Sequence, residues 1–192
     1  MSLLDEHAAA HACQVHAYVL MSNHVHLLLT PGDEWGVSRM MKAIGERYVR
    51  YFNRAHRRTG TLWEGRFRSS IVDSQSYLFT CQRYIELNPV RAGLVSHPAE
   101  YPWSSYLENA EGAKSGVVTA HPLFLSMSPD PDQRRASYRK LFEADLSTDE
   151  LYDIREAVIG GFALGGPIHV WAVQSNTGLR AYRLKHSLEP SG

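Results

Sequence analysis

The chain has 192 residues, of which 44% are apolar and 21% charged, as expected for one globular domain or one domain with a small appendage. It has no apolar run long enough to predict a membrane span, and its polar N-terminus predicts no signal peptide. Two cysteines exclude a disulfide framework and a four-cysteine zinc site, so we expect a cytoplasmic protein.

The first predicted elements form a hairpin followed by a helix. Residues 15–20 and 24–29 are rich in apolar and β-prone types and predict two strands. The polar pair Ser22-Asn23 between them predicts a tight turn. Apolar residues at three- and four-residue spacings over 37–58 then predict an amphipathic helix with Arg and Lys on its other face.

The middle of the chain predicts a third strand and a second helix. Gly60 is expected to end the first helix, and residues 62–72 are expected to form the strand. Asp73 is positioned to cap the second helix, which should end at Asn88 because the residue before a proline is disfavoured in helical conformation.

The last third of the sequence is patterned more weakly. Residues 109–120 predict a loop and residues 126–133 a linker. Two short helices are expected over 134–145 and 148–160, and the glycine-rich tail from 161 carries no known phosphate-loop spacing. This organisation predicts one domain over residues 1–120 and a mostly helical extension of unknown role over 121–192.

The net charge of zero conceals a basic central segment. Residues 1–38 carry −4, residues 39–91 carry +7 and residues 92–192 carry −3. Aromatic residues are interleaved with the basic ones, which suits nucleic acid because cations contact phosphates and rings stack on unpaired bases. A solvated helix with an aromatic core face is an equally good interpretation of this segment. The candidate DNA-binding residues are Arg39, Lys42, Arg47, Arg50, Arg54, Arg57, Arg58, Arg66 and Arg68.

The sharpest local motif is His24-Val25-His26. On a strand, residues two apart point to the same face, so two imidazoles placed in this way can bind one cation. A third ligand would have to come from elsewhere in the chain. The alternative is chance, because the sequence contains ten histidines.

The second motif lies near the end of the second predicted helix. Tyr84 and Asn88 are four residues apart and therefore share a helix face. A tyrosine hydroxyl can act as a nucleophile, and an asparagine carbonyl can ligate a hard cation. Taken alone, the pair is equally compatible with a half-buried tyrosine and an asparagine at a helix end.

Four sequence blocks, in order, resemble the REP-associated tyrosine transposases, which are single-tyrosine HUH transposases of small insertion sequences. The blocks are VHAYVLMSNHVHLLLTP, GTLWEGRFRSSIV, SYLFTCQRYIELNPVRAGLV and YPWSSY, and the resemblance covers roughly residues 14–107. It implies an α+β fold with a ferredoxin-like antiparallel sheet and helices on one face. It also implies cleavage and rejoining of single-stranded or hairpin DNA carrying repeated palindromic (REP) elements.

The resemblance assigns roles to the motif residues. Tyr84 corresponds to the catalytic tyrosine, which would form a 5′-phosphotyrosine intermediate. His24 and His26 correspond to the HUH histidines, and Asn88 occupies the position of a third metal ligand. The implied cofactor is a divalent cation, Mg²⁺ or Mn²⁺, with two histidines tilting the preference toward Mn²⁺.

The sequence departs from this family pattern at its start. Relatives have another strand and most of a helix before the histidine hairpin, whereas about a dozen residues precede Val15 here. We therefore expect a sheet that lacks the family's first strand, an exposed edge and a possible homodimer. Two alternatives remain: a hairpin-DNA-binding regulator or inactive remnant that does not cut, and, more weakly, an RNA-binding module.

Overall fold

The computed structural model describes residues 2–114 and 116–177; the last fifteen residues of the expected C-terminal extension, 178–192, lie outside the described part. The chain divides into two compact units. The first comprises Met1–Phe67 and Ile85–Arg135, and the second comprises Arg68–Tyr84 together with the described part of Ala136–Gly192. The expected domain boundary after residue 120 stays a prediction.

The described residues form nine α-helices, one short 3-10 helix at Pro98–Glu100 and one two-stranded antiparallel sheet, which confirms the α+β class. None of these helices is long and apolar enough to cross a membrane. In chain order the elements are α1 (Ser2–Ala10), β1 (Cys13–Leu20), β2 (Val25–Pro31), α2 (Gly36–His56), α3 (Ser74–Glu86), α4 (Asn88–Arg91), α5 (Tyr106–Glu111), α6 (Pro122–Ser126), α7 (Pro131–Lys140), α8 (Thr148–Gly160) and α9 (Pro167–Thr177).

The predicted hairpin and first long helix are confirmed. β1 and β2 pair from Cys13 opposite Pro31 to Leu20 opposite Val25, and the Met21 N–H donates to the His24 carbonyl across the Ser22-Asn23 turn. α2 ends at His56, four residues before Gly60. Arg57 adopts the left-handed conformation there and donates its N–H to the Asn53 carbonyl, so Arg57 is the residue that ends the helix.

The predicted strand over 62–72 is wrong for the described structure, which has only a single bridge there, between Val72 and Leu164. A local turn competes with strand pairing at the start of this segment. The Thr61 side-chain oxygen accepts a hydrogen bond from the Trp63 N–H at 3.1 Å. The Trp63 indole meanwhile lies against Tyr48 of α2, with their ring centroids 6.0 Å apart.

One hydrophobic cluster of the first unit packs on one face of the hairpin, and Ala17 and Val19 of β1 are fully buried as well. Val15 and Tyr18 of β1 are buried against α1 and α2, which contribute Leu4, Ala8 and Met40. β1 is bulged at His16, because the register shifts between Val15 and Ala17. The bulge places both Val15 and Tyr18 on the core face despite their three-residue spacing. Both helices therefore pack against the same side of the sheet.

Irregular segments cover the outer edge of β1. The Leu20 N–H donates to the Trp103 carbonyl at 2.8 Å, and the Ser105 N–H donates to the Tyr18 carbonyl at 2.9 Å. Farther along, the Thr119 N–H donates to the Val15 carbonyl at 2.7 Å. The expectation of an exposed edge is therefore wrong for β1. Among the described residues of this unit, no strand pairs with the outer edge of β2.

Buried polar groups fix these covering segments in place. Glu86, at the end of α3, is fully buried and accepts hydrogen bonds from the Ser105 hydroxyl at 2.6 Å and the Asn109 amide at 2.9 Å. The Asn109 amide also donates to the His16 carbonyl. His16 in turn contacts the Thr119 carbonyl through Nδ1 at 2.7 Å. One polar network thus connects β1, the end of α3 and α5.

The second unit contains most of α3 together with α8 and α9. Asp73 caps α3 as predicted, because its carboxylate accepts from the Gln75 N–H at 3.2 Å and the Ser76 hydroxyl at 3.0 Å. The backbone of Leu164 bonds on both sides of Val72, accepting from Asp73 and donating to Ile71. The predicted helices over 134–145 and 148–160 correspond to α7 and α8; α9 was not predicted.

Candidate functional site

The hairpin brings His24 and His26 together on the face of the sheet opposite Val15 and Tyr18. His26 is paired with Val19, and its neighbour Leu27 is paired with the core residue Tyr18. Because side chains alternate along a strand, His26 must point away from the Tyr18 face. The two imidazole rings lie edge to face with centroids 5.0 Å apart. The predicted histidine pair is therefore present as a local cluster.

The electrostatic environment keeps His26 neutral. Burial lowers the pKa of His26 from its usual 6.5 to about 4, and the nearby His24 and Arg91 act in the same direction. At neutral pH this ring therefore carries no charge and offers one nitrogen lone pair, which is the form that binds metals. His24 is exposed, and its Nδ1 contacts the Asn23 side-chain oxygen at 2.7 Å. If Nδ1 donates there, Nε2 is left with its lone pair.

Asn88 begins the short helix α4 and is 8% exposed. Its helix lies beside the histidine pair, because Arg91, one turn further along α4, is close enough to act on the pKa of His26. Asn88 and the two histidines belong to the same compact unit. Its role as a ligand stays a prediction.

The pair and Asn88 fit a divalent cation chemically. Two imidazole nitrogens and an amide oxygen form a mixed nitrogen and oxygen donor set of the kind that suits Mn²⁺. Within residues 2–114 and 116–177, no cluster of three His, Cys, Asp or Glu side chains could hold a metal. A cation at this pair would therefore need an asparagine oxygen, water or a substrate oxygen to complete its coordination.

Sequence reasoning did not single out Arg91. Its side chain is exposed, and its cation acts on His26. It lies three residues after Asn88, in the sequence NPVR, and this spacing corresponds to about one helical turn. That spacing is the signal that could have identified it as a cation beside the predicted metal site.

Tyr84, the predicted nucleophile, lies in α3 and belongs to the second compact unit. It is 8% exposed. Tyr77, two turns earlier on the same helix, is half-buried, and burial together with Asp153 and other carboxylates raises the pKa of its hydroxyl. A raised pKa makes the phenolate harder to form. Tyr77 is therefore a poor candidate for the nucleophile.

The nine predicted DNA-binding residues are all exposed, and seven of them lie on α2 or directly after it. Three in the first two-thirds of α2 are paired with carboxylates: Arg39 with Asp33 at 2.5 Å, Lys42 with Glu46 at 4.0 Å and Arg47 with Glu6 at 2.6 Å. The cations nearer the C-terminal end, Arg50, Arg54, Arg57 and Arg58, have no ion pair among the described residues.

The two remaining predicted DNA contacts lie after α2, outside any helix or strand. Arg66 is in the first unit, whereas Arg68 opens the second. The Arg68 guanidinium donates to the Ile159 carbonyl at the end of α8, 3.2 Å away. This bond gives Arg68 a structural partner within its own unit. Of the nine predicted DNA-binding residues, Arg68 is therefore the weakest candidate.

Comparison with known proteins gives one match. Residues 1–88 match a family model described as "Transposase IS200 like". The matched segment is somewhat less than half of the 192 residues and includes His24, His26, Tyr84 and Asn88. Over this segment the chain is similar to IS200-like transposases. No curated protein and no solved structure matches the chain.

Proposed function

We propose that this chain, whose first 88 residues are similar to IS200-like transposases, cleaves and rejoins single-stranded or hairpin DNA through a covalent tyrosine intermediate. The observation that carries the proposal is the His24–His26 pair. Its rings lie 5.0 Å apart on the sheet face opposite Val15 and Tyr18, within the matched segment, and His26 is held neutral. A histidine pair that only packed against the sheet would not need two adjacent rings of which one, His24, is exposed.

The more specific parts of the proposal follow from the sequence resemblance. The hairpin with α1 and α2 would be part of a ferredoxin-like sheet of the REP-associated tyrosine transposase type. A homodimer would form through the outer edge of β2, which has no strand partner among the described residues of its unit. Sedimentation of the full chain tests this assembly, and a monomer at all concentrations would contradict it.

The reaction is a transesterification. The Tyr84 hydroxyl oxygen attacks the phosphorus of a DNA phosphodiester and forms a phosphotyrosine bond. The bond from phosphorus to the 3′ oxygen breaks, and the proton from the tyrosine is balanced by protonation of the released 3′ oxygen. Attack of a 3′ hydroxyl on the phosphotyrosine reverses the step and rejoins DNA without a nucleotide cofactor.

The residues around the histidine pair would bind and orient the phosphate. His24 and His26, with Asn88, would hold a divalent cation, Mg²⁺ or Mn²⁺. Such a cation supplies Lewis-acid polarisation of a phosphate oxygen when bound. The Arg91 cation lies beside the pair and is exposed, so it can contact the same phosphate or its neighbour.

The decisive experiment is incubation of the full chain with labelled single-stranded hairpin DNA and Mn²⁺, followed by detection of a covalent adduct. Tyr84→Phe should abolish the adduct and leave hairpin binding nearly unchanged, since only the hydroxyl is removed. Tyr77→Phe, on the same helix, is the matched control and should still form it. An adduct that survives in the Tyr84 variant would assign the nucleophile to another residue.

The metal role is tested separately by calorimetry with Mn²⁺. A double alanine variant at His24 and His26 should lose Mn²⁺ affinity and adduct formation. The matched control is the double alanine variant at His7 and His11, whose rings also lie close, at 6.2 Å, and which should behave like the wild type. Unchanged affinity in the first variant would refute the metal assignment. Binding of hairpin DNA without any adduct in the wild type would instead support the non-cleaving regulator.

A further inference from the structure

Three aromatic rings form a partly exposed cluster near the C-terminal end of α2; we call them the aromatic face. They are Tyr48, Phe52 and Trp63. The ring of Tyr48 lies 6.1 Å from that of Phe52 and 6.0 Å from that of Trp63, and the planes are tilted by 42° in both pairs. Tyr48 is 37% exposed and Trp63 is 38% exposed. Large apolar rings are thus grouped at the surface.

Local contacts position the Trp63 ring in the segment that follows α2. Gly45 of α2 lies beside the indole, since a Cβ at this position would stand 3.4 Å from the indole nitrogen, in ordinary van der Waals contact. The Thr61 turn fixes the backbone of Trp63 on the other side. Trp63 is therefore held on the helix by specific local contacts while more than a third of its surface faces solvent.

One cation lies against the aromatic face. The Arg58 guanidinium lies 5.8 Å from the centre of the Phe52 ring, in cation–π contact. Arg58 is exposed and has no ion pair among the described residues. Arg50 and Arg54 each follow a ring of the face by two residues, about 200° around α2, so they project from another side of the helix. The exposed rings are therefore bordered by the positive charge of Arg58, which no carboxylate of the described chain neutralises.

We propose that the aromatic face is a stacking site for unpaired bases of single-stranded DNA, with Arg58 contacting its phosphates. The identification of the ligand as DNA rests on the proposed function. Rings bordered by a cation match the two parts of a nucleotide, because a base stacks on a ring and a phosphate pairs with a guanidinium. A second copy of this chain fits less well, because it would bring a second uncompensated Arg58 to the contact.

The test compares binding of a fluorescent single-stranded oligonucleotide with that of an abasic oligonucleotide of equal length and charge. Trp63→Ala should weaken binding to the normal strand about 5- to 100-fold and barely change binding to the abasic strand. The slope of log affinity against log salt should stay unchanged, because no cation is removed. Trp63→Phe keeps a ring and should retain most of the affinity.

Two control variants make the result specific. Trp35→Ala removes an indole that is 62% exposed at the start of α2 and should leave affinity unchanged. Arg58→Ala should weaken binding to both strands and reduce the salt slope by about 1. Equal losses on normal and abasic strands for Trp63→Ala would overturn the proposal. The proposal would also be overturned if the wild type were a dimer and Trp63→Ala converted it to a monomer, because the aromatic face would then be a contact between two copies of the chain.

The adduct assay separates this inference from the proposed function. If Trp63→Ala weakens single-strand binding as expected but the wild type forms no covalent adduct, the stacking site is supported and the proposed cleavage activity is refuted. If the adduct forms and Trp63→Ala binds single strands as well as the wild type does, cleavage stands and the stacking site is refuted.

Discussion

The neighbouring serines 104 and 105 provide a direct test of how the outer edge of β1 is held. Both are buried, at 3% and 0% exposure. Ser105 Oγ accepts the Tyr18 backbone N–H at 2.9 Å and donates to the Glu86 carboxyl at 2.6 Å. Ser104 Oγ makes only long contacts, at 3.3 Å to the Tyr101 carbonyl and 3.4 Å to the Tyr106 N–H. The same substitution should therefore have very different effects at the two positions.

Ser105→Ala removes both short hydrogen bonds at once. A buried backbone N–H left without a partner costs about 1–3 kcal/mol, and the lost bond to a buried carboxyl costs a further 1–3 kcal/mol or so. The sum, roughly 2–6 kcal/mol, is a large share of the 5–15 kcal/mol or so that stabilises a typical domain. Ser104→Ala loses only weak contacts and should cost less than about 1 kcal/mol.

Native-state hydrogen exchange of the β1 amides measures the effect without assuming that both compact units unfold together. In Ser105→Ala we expect the opening free energy of the Tyr18 and Leu20 amides to fall by roughly 2–6 kcal/mol. In Ser104→Ala it should change little. Similar losses in the two variants, or protection in Ser105→Ala equal to that of the wild type, would refute the view that Ser105 anchors this edge.

Two further predictions concern the histidine pair. Because the folded-state pKa of His26, about 4, lies below its usual 6.5, its contribution to stability is complete above pH 6.5 and is lost as the pH falls toward 4, by at most about 3 kcal/mol. Urea unfolding at several pH values checks this, and a His26→Gln variant with the same pH profile as the wild type would contradict it. Arg91→Ala should raise the pKa of His26, since that cation now lowers it, and an unchanged NMR titration would show that α4 does not act on the pair.

Local patterns were sufficient to predict the hairpin, α2 and α3. Each combines a short-range signal with an apolar face: the Ser22-Asn23 turn between two β-prone segments, the helical spacing of α2, and the Asp73 cap before α3. The adjacency of His24 and His26 follows from the same logic, since alternation along a strand is enough to place two residues on one face. His24 itself lies one residue before β2, within the ordinary uncertainty of element boundaries.

The remaining features depend on contacts between distant parts of the chain. Residues 62–72 have strand composition, but the Thr61 turn and the packing of Trp63 on α2 prevail over that preference. The covering of β1 by residues near 104 and 118 has no local signal, because these segments are irregular and their hydrogen-bond partners lie far away in the sequence. Placing Arg91 beside His26 likewise required knowing where α4 lies.

The covered edge of β1 also has a consequence for synthesis on the ribosome. In the folded protein the Tyr18 backbone N–H bonds to a residue 87 positions later in the sequence, and the His16 side chain contacts one 103 positions later. At elongation rates of about 5–20 residues per second, β1 exists for roughly 5–20 s before the segments that cover it have been made. During that interval a strand with unpaired backbone groups is available to neighbouring nascent chains. This interval of exposure falls during translation, and any pause between codons 20 and 119 would prolong it.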